Sequence, residues 1–510
     1  MNDSQDDRIF RFLLLSTLAA MAVVFFWGLG DIPLLNYNEA RRALPARDMF
    51  SHGDWLLPRL NGEPYLAKPP LLYWLQASAS HLYGSANEWA VRLPSALAAG
   101  VVSLVAYRYA RHRFGAWPAL FTVQLLVANA SFAVFARRAE IELLLTALCF
   151  CALLSALKFI YGGGGRGWLR LSYFLLGAAL LTKGPLALLF VTLPLLCAAL
   201  HGRQPRQWLA LRDWQGWGIA LAVGGAWYLV LTWQMGFEVW QSVIQKDIVG
   251  KMASSSRDPW YGYLLSLTAD FFPASLVVLC VAPVAAWRCW KDRPETVALA
   301  VSVLAPLAIY SVFSNKHAKY LLPAYPVIAI LLGKRLGELY RAARPLPRRA
   351  LLAVSLLLPA GYAVFFAVAE SRVFEYRYSA FPEFAHWLAG TGGMPVYGYV
   401  DLDERLIYYA GRDISMLDQR SLQALQAAGS ELLLLVENAR AAEIEPLADC
   451  VKNEFTPYLK KGRSLIVYGF GSACGSQAEK NMSPVERGRS GEFQRRRGLE
   501  PDLKILPMQP

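Results

Sequence analysis

Charge is what this sequence has least of. Only 17% of its 510 residues are Asp, Glu, Lys or Arg, against about a quarter in a soluble domain, and that shortage excludes a chain built mainly of water-facing surface. Histidine is scarcer still, at 6, and no His, Asp or Cys set has metal-ligand spacing, so no essential structural zinc is expected. Of the 7 cysteines, Cys149, Cys151, Cys197, Cys280 and Cys289 lie in or beside apolar runs as small hydrophobes. Cys450 and Cys474 lie in a polar stretch, where a disulfide is open to them outside the cytosol but is not fixed by spacing. The glycine-rich run GFGSACG lacks the helix and downstream acid of a nucleotide fingerprint. The first apolar run lacks a small-residue cleavage site before Asp31, and its leading residues are acidic, so 12–29 reads as a retained anchor helix.

Apolar runs dominate instead: 55% of the residues are hydrophobic and 13% aromatic. They predict a polytopic all-α membrane protein of about eleven spans, at 12–29, 90–107, 116–135, 141–160, 171–181, 186–200, 217–233, 261–286, 297–313, 320–332 and 351–369. The net charge of +13 is spread over short loops rather than gathered on one basic domain, which points to topology and anionic lipid and away from nucleic acid. Basic clusters around Arg111, Arg166, Arg206, Arg288 and Arg341 recur on every second loop and mark the cytoplasmic face. The N-terminus then lies inside and the C-terminal part outside, in the periplasm of a bacterial inner membrane. Arg41, Arg42, Lys68, Lys183, Lys246, Lys251, Arg257, Lys316 and Lys319 fall on the outer side against that bias. A phosphate-bearing ligand at the outer surface gives them a reason to be there.

The longest early polar insertion, the first outer loop at 30–89, organises the rest. Asn38 is a plausible N-cap for a surface helix over EARRALPARDMF, bent at Pro45. Lys68-Pro-Pro opens a second amphipathic helix over 71–83. Asp54, in GDW, reads as a turn residue. Arg41 offers a bidentate fork to phosphate oxygens, and Lys68 a point charge. Glu39 is a candidate general base or orienting group, although an acid in a helix's first turn is also served by the dipole. Glu140 and Glu142, beside Arg137 and Arg138, read first as an internal structural pairing. The outer segment 234–260 is either a mobile lid or a connector. The transmembrane domain ends near 370. A small α/β domain follows at 371–470, with strands at 395–399, 431–436 and 464–468 and helices at 384–388, 405–409 and 438–448. The charged residues 471–510 read as a disordered tail.

Taken together, several stretches form a recognisable set: an acid and an arginine opening the outer loop, GDW and KPP…YW within it, RLPS at Arg92, LTKGP at Lys183, PWYGY from Pro259 and NKHAKYLLPAYP from Asn315. The set resembles the integral-membrane glycosyltransferases of superfamily C over about residues 10–335. Within them it is most similar to the bacterial branch of lipid A aminoarabinose transferases and relatives of the protein O-mannosyltransferases. The resemblance implies that fold, with amphipathic periplasmic surface helices and the small C-terminal α/β domain also in the periplasm. It further implies transfer of a sugar from a polyprenyl-phosphate carrier to a periplasmic-side acceptor, with inversion, and without a nucleotide sugar or other cofactor at the site.

Residue by residue, the resemblance puts Glu39, Asn38 and Arg41 at the reacting centre. Lys68, Tyr65, Lys183, Arg257, Lys316, Lys319 and Tyr320 then fall on donor and acceptor. Two positions depart from the pattern: the family opens with Asp-Glu where this chain has Asn38-Glu39, and the aminoarabinose transferases carry an acid where this chain has Ala67. The acceptor is left open between lipid A or lipopolysaccharide, another glycan and a protein. A lipid transporter and a non-catalytic carrier-binding relative remain the competing readings.

Overall fold

The structure is a computed structural model, and it describes residues 3–202, 204–237, 240, 258–276, 294–313 and 316–474. Arg257, most of the 234–260 segment and all but the first residues of the 471–510 tail lie outside that set. The chain divides into two compact units. One comprises Met1–Asp31, Pro45–Arg59 and Pro64–Glu370; the other comprises Ile32–Leu44, Leu60–Glu63 and Ser371–Pro510. Part of the first outer loop thus belongs with the C-terminal residues, which sequence order alone did not reveal.

The first unit is helical. Six helices among the described residues are long and apolar enough to cross a membrane, or seven if a bent pair counts as one span. Asp3–Phe26, Glu88–Phe114, Glu142–Tyr161 and Pro294–Val312 correspond to expected spans. Others differ in ways the side chains explain. The span expected at 116–135 is two helices, Ala116–Val127 and Ala130–Ala136, bent by 67°. Asn129 stabilises the break: its Oδ1 accepts the Phe132 N–H at 2.9 Å and its Nδ2 donates to the Asp270 carbonyl at 3.0 Å. A carboxamide that caps one helix and ties down another terminus makes an interruption tolerable in apolar surroundings.

The span expected at 261–286 also breaks. Helix Gly262–Asp270 stops at Asp270, whose carboxylate accepts the Tyr325 hydroxyl at 2.6 Å. The span expected at 171–181 is longer, Arg166–Lys183. That expected at 186–200 is two short helices, Leu186–Phe190 and Thr192–Gly202. That expected at 320–332 begins as a 3-10 turn, Ala318–Ala324, and runs on as Tyr325–Ala342.

Buried polar ties fix the first helix to the bundle. Arg92, of the RLPS stretch, donates to the Leu29 carbonyl at 2.8 Å. Arg137 donates to the Val24 and Trp27 carbonyls and pairs with Glu370 at 3.1 Å. The loop residues of this unit are equally well held. Asp54 Oδ1 accepts from the Leu56 and Leu57 amides, as expected of a turn residue. The indoles of Trp74 and Trp227 donate to the Trp55 and Leu56 carbonyls. Leu72, on helix Leu71–Tyr83, packs with Ile141 and Leu144 and so lies beside the start of helix Glu142–Tyr161.

The second unit carries a five-stranded sheet of order β4-β3-β5-β7-β6. Its strands are β3 (Val396–Tyr399), β4 (Met416–Leu417), β5 (Leu432–Glu437), β6 (Cys450–Phe455) and β7 (Leu465–Phe470). A two-residue hairpin, β1 (Arg59–Leu60) with β2 (Glu63–Pro64), precedes them in the chain. β3 runs parallel to β4 and β5, whereas β7 is antiparallel to β5 and β6. β5 reads LLLLVE and is buried almost throughout, as a central strand requires. Helices Ala380–Ala389 and Glu404–Ala410 match the expectation; the helix expected at 438–448 is a 3-10 turn and the short helix Ala441–Ile444. Cys450 and Cys474 form a disulfide, with a Cα–Cα distance of 5.8 Å.

Candidate active site

In the first unit, two lysines singled out in the sequence as ligand contacts come together with Glu140 and Glu142, which the sequence suggested as members of an internal pairing with other partners. Lys183 is the last residue of helix Arg166–Lys183, and its Nζ donates to Glu142 Oε1 at 3.2 Å. Lys319, in the 3-10 turn Ala318–Ala324, donates through Nζ to Glu140 Oε2 at 3.0 Å. Glu140 and Glu142 are each 4% exposed. Two charges of each sign thus meet where two helix ends and a turn converge. Tyr320 forms an aromatic wall, with the Lys183 ammonium 5.1 Å from its ring centroid and the Tyr310 ring packed against it at 5.9 Å. Phe135 lies 5.9 Å from the Lys319 ammonium.

The pairing expected within RRAEIE does not form as its main partnership. Arg137 is held by Glu370 and by main-chain carbonyls of the first helix, leaving both acids facing lysines that lie 41 and 179 residues further along the chain. Burial, reinforced by the neighbouring Glu142 charge, pushes the Glu140 carboxyl above its ordinary pKa, against the pull of Lys319 and Arg138. Burial alone lowers the pKa of the Lys319 ammonium, but the two carboxylates outweigh it and hold that lysine charged. A carboxylate whose proton affinity is raised, beside a fixed cation and an aromatic face, is suited to proton transfer on a polar ligand.

The remaining sequence candidates take other positions. Lys316 donates its amide to Asp258 Oδ2 at 2.7 Å and its Nζ to the Phe313 carbonyl at 2.8 Å. Lys68 Nζ donates to the Ala67 carbonyl at 2.7 Å. Tyr65 packs against a cluster of Ala46, Met49, Tyr73 and Ala77.

In the second unit, Asn36 rather than Asn38 caps helix Tyr37–His52. Its Oδ1 accepts the Glu39 N–H at 3.0 Å, while Glu39 Oε2 accepts the Leu35 N–H at 2.8 Å. This is a reciprocal closure of the kind a capping box makes, and it wins because Asn36 stands three residues ahead of an acid. Asn38 falls inside the first turn, and Glu39 is fully buried. Arg41 pairs with Glu404 at 2.5 Å and lies over the Tyr37 ring.

Comparison with known proteins agrees with this architecture. The model of the dolichyl-phosphate-mannose-protein mannosyltransferase family matches residues 67–233, and that of the Alg9-like mannosyltransferase family matches 257–387. The undecaprenyl phosphate-alpha-4-amino-4-deoxy-L-arabinose arabinosyl transferase of Pseudomonas paraeruginosa is 32% identical over 341 residues, covering 62% of this chain and 59% of that protein. The similarly named transferase 1 of Sodalis glossinidius is 28% identical over 314 residues, 58% of this chain and 53% of its own. The chain therefore spans less than two thirds of the length of these curated relatives.

Among solved structures, ArnT from Cupriavidus metallidurans bound to undecaprenyl phosphate matches with a TM-score of 0.76, over 90% of this chain and 98% of that one, at 22% identity. The archaeal oligosaccharyltransferase AglB from Archaeoglobus fulgidus matches with a TM-score of 0.55, over 87% and 70%, at 12% identity. At such identities the likeness is one of fold. With its apolar helices the chain is a multi-pass inner-membrane protein. By sequence over about three fifths of its length the chain is similar to the bacterial aminoarabinose transferases, over 67–233 to the protein mannosyltransferases, and by fold over nine tenths of its length to ArnT.

Proposed function

We propose that the chain is a membrane glycosyltransferase that moves a sugar from a polyprenyl-phosphate carrier onto lipid A, lipopolysaccharide or another glycan at the periplasmic face, with inversion. The observation that carries this reading is the buried cluster of Lys183, Lys319, Glu140 and Glu142 around Tyr320. Departure of a phosphate monoester needs cations fixed in place in poorly polar surroundings, where their field is strong. Lys183 and Lys319 are so fixed, and Lys68, Lys316, Arg257 and Arg41 are further candidates for the phosphate. Attack by an acceptor hydroxyl needs a base whose pKa lies close to the working pH. Glu140 has the raised proton affinity for that role, and Glu39 remains the candidate from the opening loop. Asn38 and Tyr65 offer hydrogen bonds to sugar hydroxyls, and Tyr320 a stacking face. The disulfide Cys450–Cys474 supports a C-terminal domain in an oxidising compartment, and hence in the periplasm with the N-terminus inside.

A protein acceptor is the second reading, favoured by the match of residues 67–233 to the protein mannosyltransferase model. Both readings are tested in membranes of cells deleted for the gene and complemented with wild type, Lys183→Ala or Glu140→Gln. Lipid-linked sugars and their products are followed by mass spectrometry. A product formed only with wild type, with the carrier-linked sugar accumulating in both variants, supports the transferase and its mass names the acceptor. Variants that both act like wild type put the reacting centre elsewhere, and no change in any lipid-linked sugar removes the reading.

A further inference from the structure

The segment 32–44, which carries Asn38, Glu39 and Arg41, belongs to the same compact unit as the C-terminal domain, and a short helix of that domain holds it. Helix Glu404–Ala410 follows β3, and Glu404, Arg405 and Tyr409 reach the segment. The Tyr409 hydroxyl accepts the Leu34 N–H at 2.7 Å. Arg405 Nη1 donates to the Leu35 carbonyl at 2.8 Å. Glu404 Oε1 takes the Arg41 Nε–H at 2.5 Å. A second grip holds the hairpin tip, where the Asn61 carboxamide exchanges two hydrogen bonds of 2.7 Å with the Ile414 main chain.

Arg405 is built for this task. It is 6% exposed, and its Nε and Nη2 engage both oxygens of Asp403, at 2.7 and 3.0 Å. Its guanidinium lies 4.9 Å from the Phe381 ring centroid. Charge and rotamer are therefore already settled by Asp403 and Phe381, and the Nη1 that remains is directed at Leu35. Leu35 in turn gives its own N–H to the Glu39 carboxylate. The two apolar clusters of the domain are built from residues of 380–473, so the grip on 32–44 is an addition to a core assembled from the domain's own residues.

We infer that helix Glu404–Ala410 is a clamp that positions the segment bearing Asn38, Glu39 and Arg41, with Arg405 as its central positioning residue. The part of the inference that concerns catalysis rests on the transferase reading above. The clamp works through geometry: Arg405 fixes the residue that holds the Glu39 carboxylate, and Glu404 and Tyr409 fix the residues on either side. The C-terminal domain thereby sets the conformation of the opening loop. A lysine at 405 keeps the charge but cannot serve Asp403 through two parallel bonds and Leu35 through a third.

The test compares the full-length purified protein as wild type, Arg405→Ala, Arg405→Lys and Tyr409→Phe, by amide hydrogen exchange and by steady-state sugar transfer. In all three variants the amides of 32–44 are expected to exchange at least about tenfold faster, with those of β3 and β5 unchanged. In the two Arg405 variants kcat is expected to fall about 100-fold with a smaller rise in the donor KM, since misplacing Glu39 acts on the chemical step and displacing Arg41 weakens a contact to the carrier phosphate. Unchanged exchange in 32–44 overturns the clamp. Equal acceleration in β3 and β5 also overturns it, because Arg405 is then a plain core residue. Faster exchange with unchanged kcat overturns the positioning role. Absence of transfer by the wild type removes the function reading instead, and the clamp is then decided by the exchange data alone.

Discussion

Lys183 and Lys319 each face a glutamate that is almost wholly enclosed, and that enclosure sets what replacing either residue does. Lys183→Ala leaves Glu142 buried beside a void, which is expected to destabilise the protein by about 3–5 kcal/mol. The paired replacement Lys183→Met with Glu142→Leu is expected to recover most of that stability in thermal unfolding while transfer stays lost, separating the charge's structural role from its chemical one. Glu142 also raises the proton affinity of Glu140. If Glu140 is the base, it must be deprotonated to act, so the rate rises with pH through its pKa. Glu142→Gln removes the charge that raises that pKa, and the acidic limb of the kcat profile is expected to move to lower pH. Lys183 and Lys319 stood out in the sequence because they fall on loops expected to face outward, where cations break a charge rule. The acids were visible too, but their partners were not. Arg137 and Arg138 stand two to five residues away, whereas only the packing of two helix ends and a 3-10 turn brings Lys183 and Lys319 into reach.

At the scale of elements, the position of Lys183 depends on how closely helix Arg166–Lys183 lies against helix Trp214–Met235. Their contact is made through glycine. A Cβ on Gly177 would meet the Ala220 carbonyl oxygen at 2.8 Å, and one on Gly224 would meet Leu180 Cβ at 2.8 Å. Gly177→Val is therefore expected to destabilise by about 1–3 kcal/mol through overpacking and to reduce transfer by displacing Lys183. Gly218, on the same second helix, has nothing within 4 Å of an added Cβ. Gly218→Ala is expected to gain up to about 1 kcal/mol from helix propensity and to leave transfer unaltered. Both are measured by thermal unfolding in detergent alongside the transfer assay.

Hydropathy located most of the membrane helices, since each is an unbroken apolar run. It passed over the breaks at Asn129 and Asp270, because a single amide or carboxylate hardly alters a window average while its hydrogen bonds end a helix. In the C-terminal domain, β5 was plain from LLLLV. β6, reading CVKNEF at the sheet edge, was missed because an edge strand exposes polar residues and loses its apolar signal. Helix Gln419–Ala427 was missed although Asp418 caps it.

For the whole molecule, the disulfide closes the far end of the C-terminal domain. Cys450→Ser is expected to cost that domain about 2–4 kcal/mol, read from its thermal unfolding in the full-length protein. In intact cells, a thiol reagent that cannot cross the inner membrane is expected to label the half-buried Cys450 thiol freed by Cys474→Ser, as the periplasmic assignment requires. The division of the chain into two units was not legible in the sequence, because segment 32–44 is contiguous with membrane helices and meets its partners only in three dimensions. Leu35 and Arg405 are 370 residues apart. At about 5–20 residues per second of synthesis, the opening loop therefore waits roughly 20–70 s after leaving the ribosome before the helix that grips it has been made. During that interval the Leu34 and Leu35 main chain must be hydrated or held by the insertion machinery. A chain cut just before Glu404 would contain every described helix long and apolar enough to cross a membrane and still present its opening loop in the state of a nascent protein.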